Sequence, residues 1–192
     1  MYEDILVVED KSIKDLLCHK PGLIKIDQNL VLDRIREHGL FRARDSVEHD
    51  PTYKQIIPYI AMYNDSDEIL TLKRLETQSE KRLHNKLSIG VGGHVNIQDS
   101  KSPLQAFEKG MKREIAEEVN VLAKEEPEFL GLIYDHTTDV GRVHLGLAYK
   151  VKVDFFGINE KDKFDFFWKT TEELKKQRHL MENWSTFILD EI

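Results

Sequence analysis

Three glutamates near the middle of the chain have a spacing that can bind a divalent cation. Glu114, Glu117 and Glu118 stand at positions i, i+3 and i+4, so a helix would place their carboxylates on one face. Two carboxylates about 4 Å apart repel each other by roughly 4 kcal/mol at an effective dielectric near 20. A hard cation removes that repulsion and takes oxygen ligands. Because 33% of the residues are charged, a solvated helix face is the competing interpretation.

The glutamates lie at the end of a long predicted helix. Ser102 is a favoured N-cap residue and Pro103 suits the first helical position. Apolar residues recur in phase along this run and would pack on a core. They are Leu104, Phe107, Met111, Ile115 and Val119. We expect one continuous helix from about Pro103 to Val119, although Gly110 is a weak helix former.

Glycines precede the helix and favour the functional interpretation of its acidic face. Gly90, Gly92 and Gly93 follow the strand-like run Lys86–Ile89. Glycine lets the backbone turn sharply or approach a ligand closely. A strand, a glycine turn and an acidic helix together indicate a site for phosphate and metal.

This stretch resembles the signature of the Nudix (MutT-type) hydrolases, which reads Gly, five residues, Glu, seven residues, then Arg-Glu-apolar-x-Glu-Glu-x-Gly-apolar. The Arg-Glu-Ile-Ala-Glu-Glu core is intact at positions 113 to 118, and Asp99 stands at the first acidic position after Gly93. Two departures are present. Thirteen residues rather than seven separate Asp99 from Arg113, which leaves the role of Asp99 open, and Asn120 replaces the last glycine. Asparagine tolerates the left-handed conformation that glycine adopts there.

The resemblance implies a metal site and a role for each residue of the core. The metal ligands would be Glu117, Glu118 and the backbone carbonyl of Gly92, with Mg²⁺ as the default ion and Mn²⁺ as a substitute. Glu114 would be a further ligand or the base for a bound water. Arg113 would orient the glutamates rather than the substrate.

Other side chains are candidates for substrate contacts or for the base. The candidate substrate contacts are Arg74, Lys81, Arg82, Lys86, His94 and His144. For the lysines and arginines an ordinary surface position is the alternative, and for the histidines a packed position. Nudix enzymes often recruit a base outside the signature, which leaves Asp135 and Asp139 as alternatives to Glu114. The aromatic residues at 164 and 166–168 are more typical of a core than of a base-stacking platform.

The periodicity predicts an α/β fold. Residues 1–50 would form an N-terminal extension packed on the core, and residues 51–192 a Nudix-like α/β/α sandwich with a mixed sheet. We expect strands at 5–8, 56–63, 68–75, 128–135 and 142–153, helices at 28–38, 171–178 and 182–192, and turns at 64–67 and 139–141. Thr170 and Glu173 fit a capping box at the start of the helix at 171.

Composition limits the class of protein. A net charge of −7 with a pI near 5.6 disfavours binding of a nucleic-acid polymer. No segment approaches 18 apolar residues and the start lacks a basic region, so we expect a cytoplasmic protein without membrane association. Cys18 is the only cysteine, which excludes an intramolecular disulfide. A homodimer stays open.

The sequence therefore predicts a metal-dependent pyrophosphohydrolase that cleaves a phosphoanhydride bond in a nucleoside diphosphate linked to another moiety. Two alternatives remain. One is a noncatalytic nucleotide- or metabolite-binding regulatory module, and the other is an isomerase-type member acting on a diphosphate. Such isomerases use a cysteine, but Cys18, the only cysteine, lies in the extension, far from the signature. This argues against the isomerase alternative.

Overall fold

The structure is a computed structural model that describes residues 3–75, 86–159 and 161–192. The chain divides into two compact units. The first comprises the chain up to Tyr59, Gly92–Glu114 and Phe129–Ala148, and the second comprises Ile60–Val91, Ile115–Glu128 and Tyr149–Ile192. The predicted domain boundary at residue 50 stays a prediction.

Strands and helices are interspersed along the chain, which confirms the predicted α/β class. The strands are β1 (Asp4–Glu9), β2 (Gly22–Ile24), β3 (Leu40–Ala43), β4 (Tyr53–Tyr63), β5 (Ile69–Arg74), β6 (Leu87–Ser88), β7 (Val119–Ala123), β8 (Glu128–Tyr134), β9 (His144–Ile158) and β10 (Phe164–Lys169). The helices are α1 (Asp10–Ile13), α2 (Gln28–His38), α3 (Arg44–Val47), α4 (Pro103–Glu118), α5 (Asp139–Val143), α6 (Thr171–Lys176) and α7 (Asn183–Leu189). Short 3-10 turns occupy Lys14–Leu16 and Arg178–Leu180.

In the first unit, strand β1 of the N-terminal extension is a central element. It pairs antiparallel with β3 through residues 4–7 and with β4 through residues 7–9, and the sheet continues in the order β4-β9-β8-β2. Ile5 and Val7 are fully buried and pack with Val47, Leu40 and Tyr53. The extension therefore supplies part of the hydrophobic core of this unit.

In the second unit, β5 pairs with β10 along its length and with β4 and β6 at its two ends. The predicted turn between β4 and β5 is confirmed, since the Asn64 side chain accepts hydrogen bonds from the backbone of Ser66 and Glu68. The predicted capping box of α6 is also confirmed: Thr170 and Glu173 bond each other's backbone.

Three local expectations were wrong. Residues 139–141, predicted as a turn, begin helix α5, because the Thr138 side chain caps the backbone N–H of Gly141. The aromatic run forms β10, in which Phe164 is buried as expected. The expected core position is wrong for Phe166 and Phe167, which are 41% and 43% exposed.

The third concerns Asn120, which is extended in β7 and pairs with Gly157. Among the described residues, Asp67 is the only non-glycine residue with a positive φ. A left-handed cap is unnecessary after α4 because Asn159 bonds the last carbonyls. Its side chain donates to the Ala116 carbonyl at 2.8 Å, and its backbone N–H donates to the Glu118 carbonyl at 2.8 Å.

Helix α4 is continuous from Pro103 to Glu118, as predicted. Gly110 lies in its middle because another side chain packs directly on the helix there. A Cβ atom at Gly110 would lie 2.8 Å from an Asp99 carboxylate oxygen and 3.1 Å from a methyl group of Val95. The one weak helix former in α4 is therefore required by a tertiary contact.

No helix in the described part of the chain is long and apolar enough to cross a bilayer. Cys18 is exposed, and its thiol lies 3.0 Å from the carbonyl oxygen of Lys20.

Gly110→Ala should destabilise the protein, although alanine favours a helix by about 1 kcal/mol over glycine. The added methyl group must displace Asp99 or Val95, and such overpacking costs about 1–3 kcal/mol. Thermal unfolding should show a Tm lower by roughly 2–4 °C for each kcal/mol. Lys112→Ala, at an exposed position of the same helix, is the control and should change the Tm little. A Tm raised by Gly110→Ala would contradict the close packing of Asp99.

Candidate active site

The guanidinium of Arg113 connects the loop before α4 to the first of the three glutamates. Its Nε donates to Asp99 Oδ1 at 2.8 Å, and its Nη2 donates to Asp99 Oδ2 at 3.1 Å and to the His94 carbonyl at 2.8 Å. Its Nη1 donates to Glu114 Oε1 at 2.7 Å. These bonds hold the Glu114 carboxylate beside Arg113, and the role of Arg113 in orienting the glutamates stays a prediction.

Asp99 is the buried partner of Arg113. Its side chain is 6% exposed, and its Oδ2 also accepts the backbone N–H of Asn96 at 2.8 Å. Burial alone would raise the pKa of Asp99, but hydrogen bonds from Arg113 and from the Asn96 backbone outweigh it and lower that pKa. Asp99 is therefore ionised and structural, a role that the thirteen-residue spacing concealed.

The glycine turn is shaped by close approach. The carboxylate of Glu114 packs so tightly on Gly93 that a Cβ atom on that residue would overlap it. A Cβ atom on Gly92 would likewise overlap the Pro58 carbonyl. Both positions require glycine for space, and Glu114 is held between the Gly93 backbone and Arg113.

Glu117 and Glu118 occupy the last turn of α4. Glu117 is exposed and Glu118 is half-buried. The helix confirms their i, i+3, i+4 spacing from Glu114. Within residues 3–75, 86–159 and 161–192, no three His, Cys, Asp or Glu side chains are already gathered into a metal-binding group. The metal-ligand roles of Gly92, Glu114, Glu117 and Glu118 stay predictions.

The two candidate histidines meet in the first unit. His94 Nε2 lies 2.7 Å from Gln55 Oε1 and 3.3 Å from His144 Nε2. The Nδ1 of His144 lies 2.7 Å from the Val140 carbonyl oxygen. Burial, helped by the positive charge of Arg44 and by the neighbouring His144 and Arg113, lowers the pKa of His94 to about 3. The His94 imidazole is therefore neutral near pH 7.

The two aspartates proposed as alternative bases differ in surroundings. Asp135 is buried, and its Oδ1 accepts the backbone N–H and the hydroxyl of Thr137 at 2.9 and 2.6 Å. Asp139 has an 87% exposed side chain and lies 3.5 Å from Arg142. These contacts give Asp135 a structural role in the turn before α5. The choice of base between Glu114, Asp135 and Asp139 stays a prediction.

Two of the candidate cations, Arg74 and Lys86, lie in the second unit. The Arg74 guanidinium lies 5.3 Å from the centre of the Phe164 ring, and Lys86 Nζ donates to the His179 carbonyl at 3.4 Å. Lys81 and Arg82 fall outside the described residues. A contact of any of these side chains with substrate stays a prediction.

Gln55 is the site residue that the sequence did not reveal. It is fully buried, and its Nε2 donates to the Val47 carbonyl at 3.2 Å while its Oε1 faces His94. A polar residue at the start of the apolar run Ile56–Met62 was the available signal. Its buried amide needs partners, but one of them, His94, is 39 residues away in the sequence.

The crystal structure of Tm1382, described as a candidate Nudix hydrolase, matches nearly the whole chain. It superposes with a TM-score of 0.88 at 39% identity and covers 98% of this chain and 97% of that one. The chain belongs to the Nudix hydrolase family. The predicted resemblance and the predicted hydrolase class are thereby confirmed, although no family model matches the sequence.

Two further relatives extend the comparison of this Nudix hydrolase. Protein YmaB of Bacillus subtilis is 34% identical over 155 residues, which is 77% of this chain and 75% of YmaB. The Nudix domain of Shewanella oneidensis NrtR, crystallised with ADP ribose, has a TM-score of 0.51 at 13% identity and covers 70% of this chain and 82% of that one. At that identity it shares the fold alone.

The stability of this Nudix hydrolase should fall in mild acid because of His94. Its pKa is lowered from 6.5 to about 3 in the folded state, so between these values the unfolded chain binds a proton that the folded chain does not. Above pH 6.5 both states are deprotonated at His94 and the free energy of unfolding does not depend on it. Below pH 6.5 the His94 pKa difference lowers the free energy of unfolding, by at most about 1.4 kcal/mol per pH unit.

Urea unfolding of wild type and His94→Gln between pH 7.5 and 4.5 measures how much of the pH dependence of the unfolding free energy comes from His94. The variant should lose less stability over that interval than wild type, whereas His19→Gln, at an exposed position, should behave as wild type. Parallel pH profiles for wild type and His94→Gln would contradict the assignment.

Proposed function

We propose that this Nudix hydrolase cleaves a phosphoanhydride bond in a nucleoside diphosphate linked to another moiety, with Mg²⁺ or Mn²⁺ as cofactor. The observation that carries the proposal is the position of Glu114. Its carboxylate is held between the Arg113 guanidinium and the backbone of Gly93, one turn before two further glutamates. An acidic group fixed beside a glycine turn suits a cation and a phosphate.

The proposed ligands are Glu117, Glu118 and the Gly92 carbonyl, with Glu114 as a further ligand or as base. All are oxygen donors, which suit hard cations such as Mg²⁺. The tight contact of Gly93 with Glu114 fits a turn built to approach such a group. When bound, the cation neutralises phosphate charge and makes water a better nucleophile.

The chain's own side chains then have distinct tasks. The Arg113 donors are directed to Asp99, His94 and Glu114, so Arg113 positions the acid and leaves the substrate phosphates to other cations. Arg74, Arg82 and Lys86 are the proposed phosphate contacts. A carboxylate next to the reacting water takes its proton, and Glu114, fixed on two sides, is the favoured base.

The proposed partner is a small nucleotide-type substrate rather than a nucleic-acid polymer. ADP ribose, found with the NrtR Nudix domain, is a suitable first probe because it contains a diphosphate between two different groups. Membership of a hydrolase family favours turnover over the regulatory and isomerase alternatives. A homodimer stays a prediction.

Glu117→Gln and Glu118→Gln should each lower kcat by on the order of 10²-fold or more, since metal-stabilised charge is worth several kcal/mol in a transition state. Without metal the Tm should hold or rise, because removing one of several neighbouring carboxylates relieves repulsion. Steady-state kinetics and thermal unfolding measure both. Glu108→Gln, at an exposed position earlier in α4, is the matched control. Unchanged turnover in both variants would exclude the proposed metal ligands.

Mg²⁺ should stabilise the protein before any substrate is added. A ligand bound only by the folded state contributes RT ln(1 + [L]/Kd), about 1.4 kcal/mol at ten times Kd, which raises the Tm. A panel of nucleoside diphosphate compounds, beginning with ADP ribose, should then be hydrolysed in ¹⁸O-water with label in one phosphate product. Stabilisation without turnover across the panel would support the regulatory alternative, and no response to Mg²⁺ or Mn²⁺ would contradict the metal site.

A further inference from the structure

A line of hydrogen-bonding groups crosses the first unit between two backbone carbonyls. The Val47 carbonyl accepts from Gln55 Nε2 at 3.2 Å, and Gln55 Oε1 lies 2.7 Å from His94 Nε2. His94 Nε2 lies 3.3 Å from His144 Nε2, and His144 Nδ1 lies 2.7 Å from the Val140 carbonyl. We call Gln55, His94 and His144 the imidazole bridge.

The two terminal carbonyls determine where the protons of the imidazole bridge lie. A carbonyl only accepts, so His144 carries a proton on Nδ1. In the neutral form of His144, Nε2 then offers a lone pair. At the other end, the amide of Gln55 must donate to Val47, which leaves its Oε1 to face His94. His94 must therefore carry its proton on Nε2, donating chiefly to Gln55 and more weakly to His144.

His94 is fixed on two sides. Its imidazole is bound by Gln55, and its backbone carbonyl accepts from Arg113, which also binds Glu114. His94 directly follows Gly93, whose backbone touches the Glu114 carboxylate. A rotation of His94 would therefore disturb the glycine turn and Glu114 together.

We propose that Gln55 is a positioning residue of this hydrolase, acting through His94 on the turn that contains Gly92 and Gly93. The proposal rests on the metal-dependent function proposed above. Gln55 touches neither substrate nor cation. It sets the orientation of the loop that contains the Gly92 carbonyl, a proposed ligand of the cation, and that packs on the Glu114 carboxylate through Gly93.

The N-terminal strand β1 fixes the position of Gln55. Val7 of β1 pairs with Gln55 in β4, and the preceding residues of β1 bind the loop itself. The Leu6 N–H donates to the Val95 carbonyl at 2.7 Å, and the Ile97 N–H donates to the Asp4 carbonyl at 3.0 Å. One buried strand thus holds β4 and the loop after Gly93 in register, which gives the extension a part in the active site.

Gln55→Met tests the proposal, because methionine has a similar length and neither hydrogen bond. In metal-free wild type near pH 7, ¹⁵N NMR of the imidazoles should show His94 protonated on Nε2 and His144 on Nδ1. In the variant, the His94 imidazole should no longer be protonated on Nε2 alone. Mn²⁺ affinity, measured by electron paramagnetic resonance, should fall about tenfold or more, as for other supports of metal ligands.

Kinetics with ADP ribose and Mg²⁺ supply the second measurement. Gln55→Met should lower kcat about tenfold with KM changed less than about twofold, because the substrate contacts remain in place. Thr71→Val is the control, since its buried hydroxyl donates locally to the Ile69 carbonyl. It should leave Mn²⁺ affinity and kcat at wild-type values.

Several results would overturn the proposal. Wild type with His94 protonated on Nδ1 would do so without any variant, even if Gln55→Met failed to fold. The proposal would also be overturned if His94 in Gln55→Met were no longer protonated on Nε2 alone while Mn²⁺ affinity and kcat stayed unchanged. An equal loss of Mn²⁺ affinity in Thr71→Val would overturn it as well. Wild type that binds no Mn²⁺ would instead refute the proposed function, and the inference with it.

Discussion

The bonds of Arg113 to Asp99, His94 and Glu114 are the interaction on which the rest of the candidate site depends. A guanidinium presents five N–H donors in a rigid plane, and here those donors reach two carboxylates and one carbonyl. A lysine could supply the charge but not the geometry. Because its donors reach Asp99, the His94 carbonyl and Glu114, Arg113 fixes the loop before α4 and the side chain of Glu114 relative to the helix.

Space at three glycines makes that arrangement possible. Asp99 packs against Gly110, Glu114 against Gly93, and the Pro58 carbonyl against Gly92. The extra residues between Asp99 and Arg113 lengthen the start of α4, while Asp99 still contacts the helix one turn before Arg113. Asp99 and Arg113 therefore form an ion pair although thirteen residues separate them in the sequence.

Both histidines of the site are held by contacts with the backbone of other residues or of their own. The His94 carbonyl accepts from Arg113, and His144 Nδ1 lies 2.7 Å from the Val140 carbonyl. Val140, which binds His144, belongs to α5. The end of that helix is fixed by buried Lys54, which donates to the Arg142 and Pro51 carbonyls and lies 3.4 Å from Asp10. Lys54 and Gln55 are adjacent in β4, and both pair with β1. The N-terminal strand therefore supports both ends of the imidazole bridge.

The sequence by itself determined the elements whose signals are local. Helix α2, the turn at residues 64–67, the capping box of α6 and the acidic face of α4 follow from periodicity and from hydrogen bonds between near neighbours. Tertiary structure decided the rest. Asn120 is extended because it pairs with Gly157, far along the chain, in the ladder between β7 and β9. Gln55 and Asp99 acquire their roles from partners 39 and 14 residues away. A buried polar group must find a partner, but which distant group reaches it depends on how the strands pack, and that information is absent from any local pattern.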